Sequence, residues 1–408
     1  MQEPCNMETT MNEHSCFNSD GILARQWGEN MQVQAEQPSE SPSQSTSVEE
    51  RIPLVSVGMT AYNHEKYIAR ALDSVLMQEV DFPYEIVIGE DCSQDKTREI
   101  ILEYQKKYPH IIKPILYEHN VGMKQNYLNV RNTCRGKYRT TLEGDDYWLT
   151  TSRMKSQVDF LEHHPEYIAI CAKWITLDER EKQIANPFAN TYFSGDVYTL
   201  EAAQNWKLPG HTCTMMYRNL FLDYSKDILE AYSALEVVGD RKLSLFLALH
   251  GPIFVSQQII AARRIIRSSG TSYFSTSKRR NMYYVMYHWT MLLEAFAKEY
   301  YGVQLDYQVP RIDFWKNAVS HWLRLPCRMH YEAVRNIYRE CGQKKRYRRI
   351  VWDAGRAFLR KRCEGKNVFS ATWLLMKKSV KVLRRMVTFH RRARESAAGE
   401  KTSIENFA

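Results

Sequence analysis

Between Leu54 and Glu143, short apolar runs and amphipathic segments alternate, and few folds accommodate that order. The run from Leu54 to Met59 reads as a buried strand. "HEKYIARALDSVLMQ" places Ile68, Leu72, Val75 and Leu76 on one helical face. A strand at "YEIVIG" and a helix at "KTREIILEYQKKYP" follow, then a strand at "IKPILYE", a helix after "NVGMKQN" and a strand at "YRTTLE". Strands separated by helices predict a parallel sheet with helices on both faces. Ligands bind such sheets beyond the carboxyl ends of the strands. The polar clusters "TAYNHE", "EDCSQDKT" and "EGDDYW" all fall there.

The last cluster concentrates three acids, Glu143, Asp145 and Asp146, in four positions. Carboxylates that close repel one another. They become favourable when a hard divalent cation sits among them, since Mg²⁺ or Mn²⁺ takes one or two carboxylates plus phosphate oxygens and water. The bland alternative is a solvated turn in which Asp146 caps the next helix.

Past Trp148 the pattern changes. "TSRMKSQVDFLEHHPEY" reads as a helix opened by a capping Thr or Ser. Short mixed strands follow, "HTCTMMYR" among them, then a helix opening at "GDRKLSLFLALHG" and a strand at "PIFVS". From about Ser277 the chain reads as helical. Residues 1–50 are polar, rich in Gln, Glu, Ser and Thr and without apolar periodicity, which predicts disorder. The expected organisation is therefore a disordered segment over 1–50, an α/β domain over 51–276 and a helical, basic region over 277–408.

No run approaches the roughly 18 apolar residues of a membrane-spanning helix, and the first residues lack the basic and apolar parts of a signal peptide. The nine cysteines follow no metal-ligand or disulfide spacing. Reduced thiols and a cytoplasmic location are expected. The net charge of +9 conceals an asymmetry. Lys344–Arg394 carries 18 Lys and Arg against two acids, a local +16 that leaves −7 for the remainder. Within it Trp373, Met376, Val380, Leu383 and Val387 share a helical face among lysines and arginines. A basic amphipathic helix of this kind lies in a membrane interface. Its alternative is an ordinary helix packed on the preceding domain.

In order and separation, "VSVGMTAYNHEKYIARALDSVL", "YEIVIGEDCSQDKT" and "GKYRTTLEGDDYW" resemble the nucleotide-sugar-binding half of the family 2 inverting glycosyltransferases of GT-A fold. "HTCTMMYR" and "VVGDRKLSLFLALHGPIFVSQQIIAARR" are similar to the acceptor half. The likeness covers residues 52–275 or so. It implies a Rossmann-like nucleotide-sugar-binding domain with a mixed central sheet, followed here by a C-terminal helical extension.

By that resemblance "EGD" occupies the family's DxD position, with Glu143 in place of the usual first Asp. Asp145 is the first metal-ligand candidate, and Glu143 and Asp146 join it directly or through water. Asp91 matches the acid that accepts a hydrogen bond from the base; Tyr62 would lie against that base, with Thr60 and Asn63 reaching ribose or phosphate. For Tyr62 the alternative is a core aromatic. "NVGMKQN" matches an Asn-x-Gly element and brings in Asn120. The Arg that many members carry in the next helix is absent, and Lys124 is the substitute charge. Asp240 matches the acid that deprotonates the acceptor, although an Asp there is also a good helix cap. His211, Thr212 and Trp148 are assigned to the sugar or acceptor pocket.

The implied activity is metal-dependent inverting transfer of a sugar from a nucleotide diphosphate donor, a UDP-sugar first, to a hydroxyl of a lipid-linked or saccharide acceptor. Surface polysaccharide assembly on the inner face of a bacterial plasma membrane is the implied setting. Two rivals stand beside it. A nucleotidyltransferase or other nucleotide-sugar enzyme would bring a Gly-rich basic loop after the first strand, and "TAYNHEKY" has no glycine. A non-enzymatic membrane- or nucleic-acid-binding protein would have no use for acids at several strand ends, and no nucleic-acid module accompanies the charge.

Overall fold

A computed structural model describes residues 52–266, 282–324, 328–341 and 349. The segment expected to be disordered lies outside them, as does almost all of the basic tail.

The first half follows the alternation closely. Its strands are β1 (Val55–Ala61), β2 (Tyr84–Glu90), β3 (Ile112–Leu116) and β4 (Tyr138–Glu143). The connecting helices are α1 (Ile68–Leu76), α2 (Thr97–Lys107) and α3 (Gly122–Thr133). The four strands pair in parallel in the order 3-2-1-4. Val57, Met59, Ile86, Ile88 and Leu142 are fully buried in one cluster with Ile68, Ala71, Leu72 and Val75 of α1. Each such side chain contributes about 1.5–3 kcal/mol of apolar burial. Pro114 cannot donate to a ladder; it sits in β3, which ends the sheet.

The second half makes the sheet mixed. It comprises β5 (Tyr147–Trp148), α4 (Arg153–His163), β6 (Ala169–Leu177), β7 (Gln183–Ile184), β8 (Val197–Tyr198), α5 (Leu200–Gln204), β9 (Met216–Arg218), α6 (Lys226–Ala234), α7 (Gly239–Ala248) and β10 (Ile253–Arg264). The strand order continues 4-9-6-10-5, with β9 antiparallel to both β4 and β6. Two details differ from the sequence reading. "HTCT" forms a 3₁₀ turn at Thr212–Thr214 before a strand of only three residues. The strand begun at "PIFVS" runs on to Arg264, through register shifts after Val255 and Ile259. Ser152 precedes α4 without a side-chain cap.

Among the described residues three helices follow: α8 (Met282–Tyr301), α9 (Gln308–Arg324) and α10 (Arg328–Glu340). Leu293, Phe296 and Ala297 of α8 join the core of α7, β6 and β10. The first described helix beyond residue 277 thus shares its core with the α/β domain. Trp315, Val319, Val334 and Ile337 form a separate helical cluster.

Candidate active site at the carboxyl edge of the sheet

Register brings the polar loops together. Thr60 at the end of β1 is paired with Glu143 at the end of β4, and Ala61 with Glu90 at the end of β2. The acidic turn then folds back. Gly144 N–H donates to the Thr60 carbonyl at 3.1 Å. A Cβ on Gly144 would stand 2.7 Å from His64 Nδ1, so only glycine lets the turn lie against the β1 loop.

The three acids differ in their surroundings. Asp146 is 3% exposed, and its Oδ1 accepts the Arg264 amide at 2.7 Å. Glu143 Oε1 accepts from Thr212 Oγ1 at 2.9 Å, whereas its Oε2 is buried with no hydrogen-bond partner. Asp145 is half-buried, and its carbonyl takes the Arg264 guanidinium. Arg264 also holds Glu181 and lies over the Tyr67 ring at 4.4 Å. Burial first, then the Asp145 charge, raises the Glu143 carboxyl above its usual range. Burial, with Asp145 and Glu143 behind it, pushes Asp146 well above. An orphaned buried carboxylate oxygen among three crowded acids is the donor set that a divalent cation fits.

A testable consequence concerns pH. The fold keeps protons on Glu143 and Asp146 that the unfolded chain has released, so folding takes up protons between the ordinary carboxylate range and the raised values. Stability of the metal-free protein should therefore fall as pH rises through that window. Melting in chelator between about pH 5 and 8 should show the decline, and Asp146→Asn should reduce its slope. An unchanged slope in the variant would remove Asp146 as its source.

The remaining predicted residues divide. Tyr62 is half-buried at the lip of the β1 loop, not a core aromatic. Asn63 takes a left-handed conformation at φ 56°, which Asn tolerates. Its Oδ1 accepts from Gln94 N–H at 2.8 Å, so its amide oxygen ties two loops and its Nδ2 is the donor left to reach a ligand. Asp91 is 3% exposed, with its carboxylate accepting from the amides of Val121 at 2.7 Å and Gly122 at 3.0 Å. It caps α3 from the end of a neighbouring strand. Asp95 serves the start of α2, accepting from Thr97 N–H at 3.0 Å. Asn120 is exposed and donates to the Asp91 carbonyl at 2.9 Å. Lys124 is exposed in the first turn of α3, and its charge, after burial, helps push Lys242 down to about 8.

Trp148 is a correction. It is 1% exposed, donates its indole N–H to the Cys213 carbonyl at 3.0 Å and stacks under Arg153 at 3.8 Å. A side chain so enclosed supports the acidic turn from below and lines no pocket. His211 and Thr212, in contrast, face the acids. His211 Nδ1 lies 3.9 Å from Asp146 Oδ2. Burial and then Arg263 hold the His211 imidazole well below its usual value, so it is neutral.

Asp240 occupies the first turn of α7 and is half-buried. The N-cap is Val238, and Asp240 Oδ1 accepts from the Arg241 amide at 2.8 Å. The Asp240 charge reaches Tyr192, whose phenol burial raises to about 12. Tyr192 meets Trp174 edge-on at 4.5 Å, and Trp174 lies 5.8 Å from His211. Aromatic rings thus connect the Asp240 side of the site to the acidic side. Trp174, Tyr192, Arg263 and Arg264 had no role in the sequence reading. The only local signal was the Arg pair ending "IIAARR", beyond the expected end of its strand.

Residues 56–225 match the family model described as Glycosyl transferase family 2. With the mixed sheet and acidic turn above, this part of the chain is similar to a family 2 glycosyltransferase domain, on a sheet of GT-A fold. The uncharacterised Mycobacterium tuberculosis protein Rv1520 is 41% identical over 112 residues, 28% of this chain and 32% of that one. The putative teichuronic acid biosynthesis glycosyltransferase TuaG of Bacillus subtilis is 33% identical over 109 residues, 27% of this chain and 42% of its own length. The match thus spans about a third to somewhat under half of these curated relatives. Among solved structures, residues 1–349 of S. aureus TarS in complex with UDP give a TM-score of 0.50 at 18% identity. That alignment covers 77% of this chain and 92% of the TarS chain, and it shows a shared fold.

Proposed function

We propose that this chain is a metal-dependent inverting glycosyltransferase that moves a sugar from a nucleotide diphosphate donor, with a UDP-sugar the first candidate, to a hydroxyl of a saccharide or lipid-linked acceptor in surface polysaccharide assembly. The observation that carries the reading is the acidic turn of Glu143, Asp145 and Asp146, with its orphaned buried oxygen, registered beside the β1 loop in a stretch similar to family 2 glycosyltransferases. The teichuronic acid name of TuaG supports the polysaccharide setting.

Asp145 would hold Mg²⁺ or Mn²⁺, with Glu143 and Asp146 as further ligands. When bound, the cation supplies Lewis-acid neutralisation of the departing diphosphate. The protein's own residues do the rest. Tyr62 offers a ring to the base, and Thr60 and Asn63 Nδ2 offer polar groups to ribose or phosphate. Asp91, by fixing the Asn120–Gly122 turn, shapes the wall on which the nucleotide rests; a base N–H would meet it through its remaining lone pairs. His211 and Thr212 border the sugar. Asp240 takes the acceptor hydroxyl proton as that oxygen bonds to the anomeric carbon. The bond from that carbon to the phosphate oxygen breaks on the opposite face, which inverts the configuration.

The test is thermal stabilisation of the full chain by a panel of nucleotide sugars, in Mn²⁺ and in EDTA. A donor at 100 times its Kd should add about 2.7 kcal/mol. The donor that stabilises should also release its nucleotide diphosphate slowly without acceptor. Equal affinity in Mn²⁺ and EDTA would sink the metal dependence.

The membrane setting rests on the sequence of Lys344–Arg394. Among the described residues no helix is long and apolar enough to cross a membrane. Surface docking combines apolar burial with charge attraction, and each Lys or Arg near an anionic leaflet contributes about 1 kcal/mol. Full-length protein should co-sediment with anionic vesicles at low salt, less so as salt rises, and truncation after Gly365 should release it while sparing donor hydrolysis. Loss of hydrolysis on truncation would instead make the tail a packed part of the fold.

A further inference from the structure

Beside the acidic turn lies a second kind of donor set. His211 and Cys213 bracket Thr212 on the 3₁₀ turn before β9. His211 Nδ1 stands 3.0 Å from Cys213 Sγ and 3.9 Å from Asp146 Oδ2. The three ligand atoms lie within 4.8 Å of one another. A tetrahedral zinc ion, with bonds of roughly 2.0 Å to N and O and 2.3 Å to S, separates its ligand atoms by roughly 3.3–3.6 Å. The triad needs adjustments of about half an ångström at its two measured edges to meet that geometry.

The hydrogen bonds commit these atoms only lightly. Asp146 spends Oδ1 on the Arg264 amide and turns Oδ2 toward His211. His211 Nδ1 accepts from the Cys213 amide over a long 3.4 Å and stands 3.0 Å from the thiol, so its one lone pair would pass from that amide to a bound metal. Thr212, between the two, holds Glu143 Oε1 and leaves the buried Oε2 without a partner.

We propose that Asp146, His211 and Cys213 form a site for a thiophilic divalent cation, Zn²⁺ in chemical class, distinct in its donors from the all-oxygen set led by Asp145. A mixed O, N, S set selects zinc-like ions over Mg²⁺ and Mn²⁺, which prefer oxygen. On binding, the Cys213 S–H bond breaks, its proton leaves to solvent and the sulfur bonds the metal. Such binding withdraws Asp146 from the oxygen set. Zinc is therefore an inhibitor of the activity proposed above, although the site itself does not depend on that activity.

The experiment titrates the full-length, reduced chain with Co²⁺, the spectroscopic stand-in for Zn²⁺, and reads absorption without any turnover. The expected result is a thiolate-to-cobalt band in the near ultraviolet with tetrahedral d–d bands in the visible, displaced by equimolar Zn²⁺ and absent in Cys213→Ser. Absence of the band in the wild type overturns the site, and so does its persistence in Cys213→Ser, which would assign it to another thiol. Should that variant fail to fold, X-ray absorption at the zinc edge of the wild-type complex decides. One sulfur at about 2.3 Å supports the site, and a shell of N and O alone overturns it. Where donor hydrolysis is measurable, Zn²⁺ should inhibit the wild type more than Cys213→Ser.

Discussion

Asp145→Ala should lose donor hydrolysis by about 10²–10³-fold, the scale of removing one electrostatic stabiliser of a developing charge. Asp145 is half-buried, and its neighbours are committed to contacts that hold the turn. Glu143 is bound to Thr212 and Asp146 to the Arg264 amide, so either substitution would disturb structure as well as charge. Asp145 holds Arg264 through its backbone carbonyl, which alanine retains. The variant should therefore melt near the wild type in EDTA while losing the extra stabilisation that donor plus Mn²⁺ provides. It should also relieve repulsion on Glu143 and Asp146, because the Asp145 charge helps raise both. A variant that still gains full stabilisation from donor and Mn²⁺ would show that the other two acids suffice.

The parallel half of the sheet was legible because its information is local. Short, continuously buried apolar runs mark β1 and β2, a spaced apolar face marks α1, and polar residues at strand ends mark the ligand edge. The carboxyl edge follows from that topology alone. What was not legible depends on pairing over long separations. The end of β10 lies antiparallel to β5, with Ala261 opposite Trp148. That pairing brings Arg264 onto the acidic turn, and no local pattern announces it. Trp148 was misplaced for the same reason: its position beside three acids says pocket, whereas the Cys213 carbonyl, 65 positions away, receives its indole N–H inside the core. Asp91 shows a subtler limit. An Asp at a strand end is chemically suited to meet a base or to cap a helix, and only the approach of α3 reveals the capping contacts.

Asp240→Asn separates two duties that one carboxylate could serve. As a residue of the first turn of α7, Asp240 stabilises the helix through its charge near the N-terminus, worth about 0.3–1 kcal/mol, and through Oδ1 on the Arg241 amide. Asparagine keeps the size and the Oδ1 acceptor, so the fold and donor binding should survive with a loss within that range. As a base, asparagine has no proton affinity to offer, and transfer to acceptor should fall by about 10²-fold or more. Metal-assisted hydrolysis of the donor should fall less, because water needs no positioned acceptor hydroxyl to be deprotonated. The rings of Tyr192 and Trp174 stand between the Asp240 charge and His211, and Asp240 is not among the acids proposed to hold the cation. Mn²⁺-dependent stabilisation by donor should accordingly match the wild type. Near-normal transfer with a destabilised helix would assign Asp240 to the helix alone and send the search for the base to other side chains of the acceptor side.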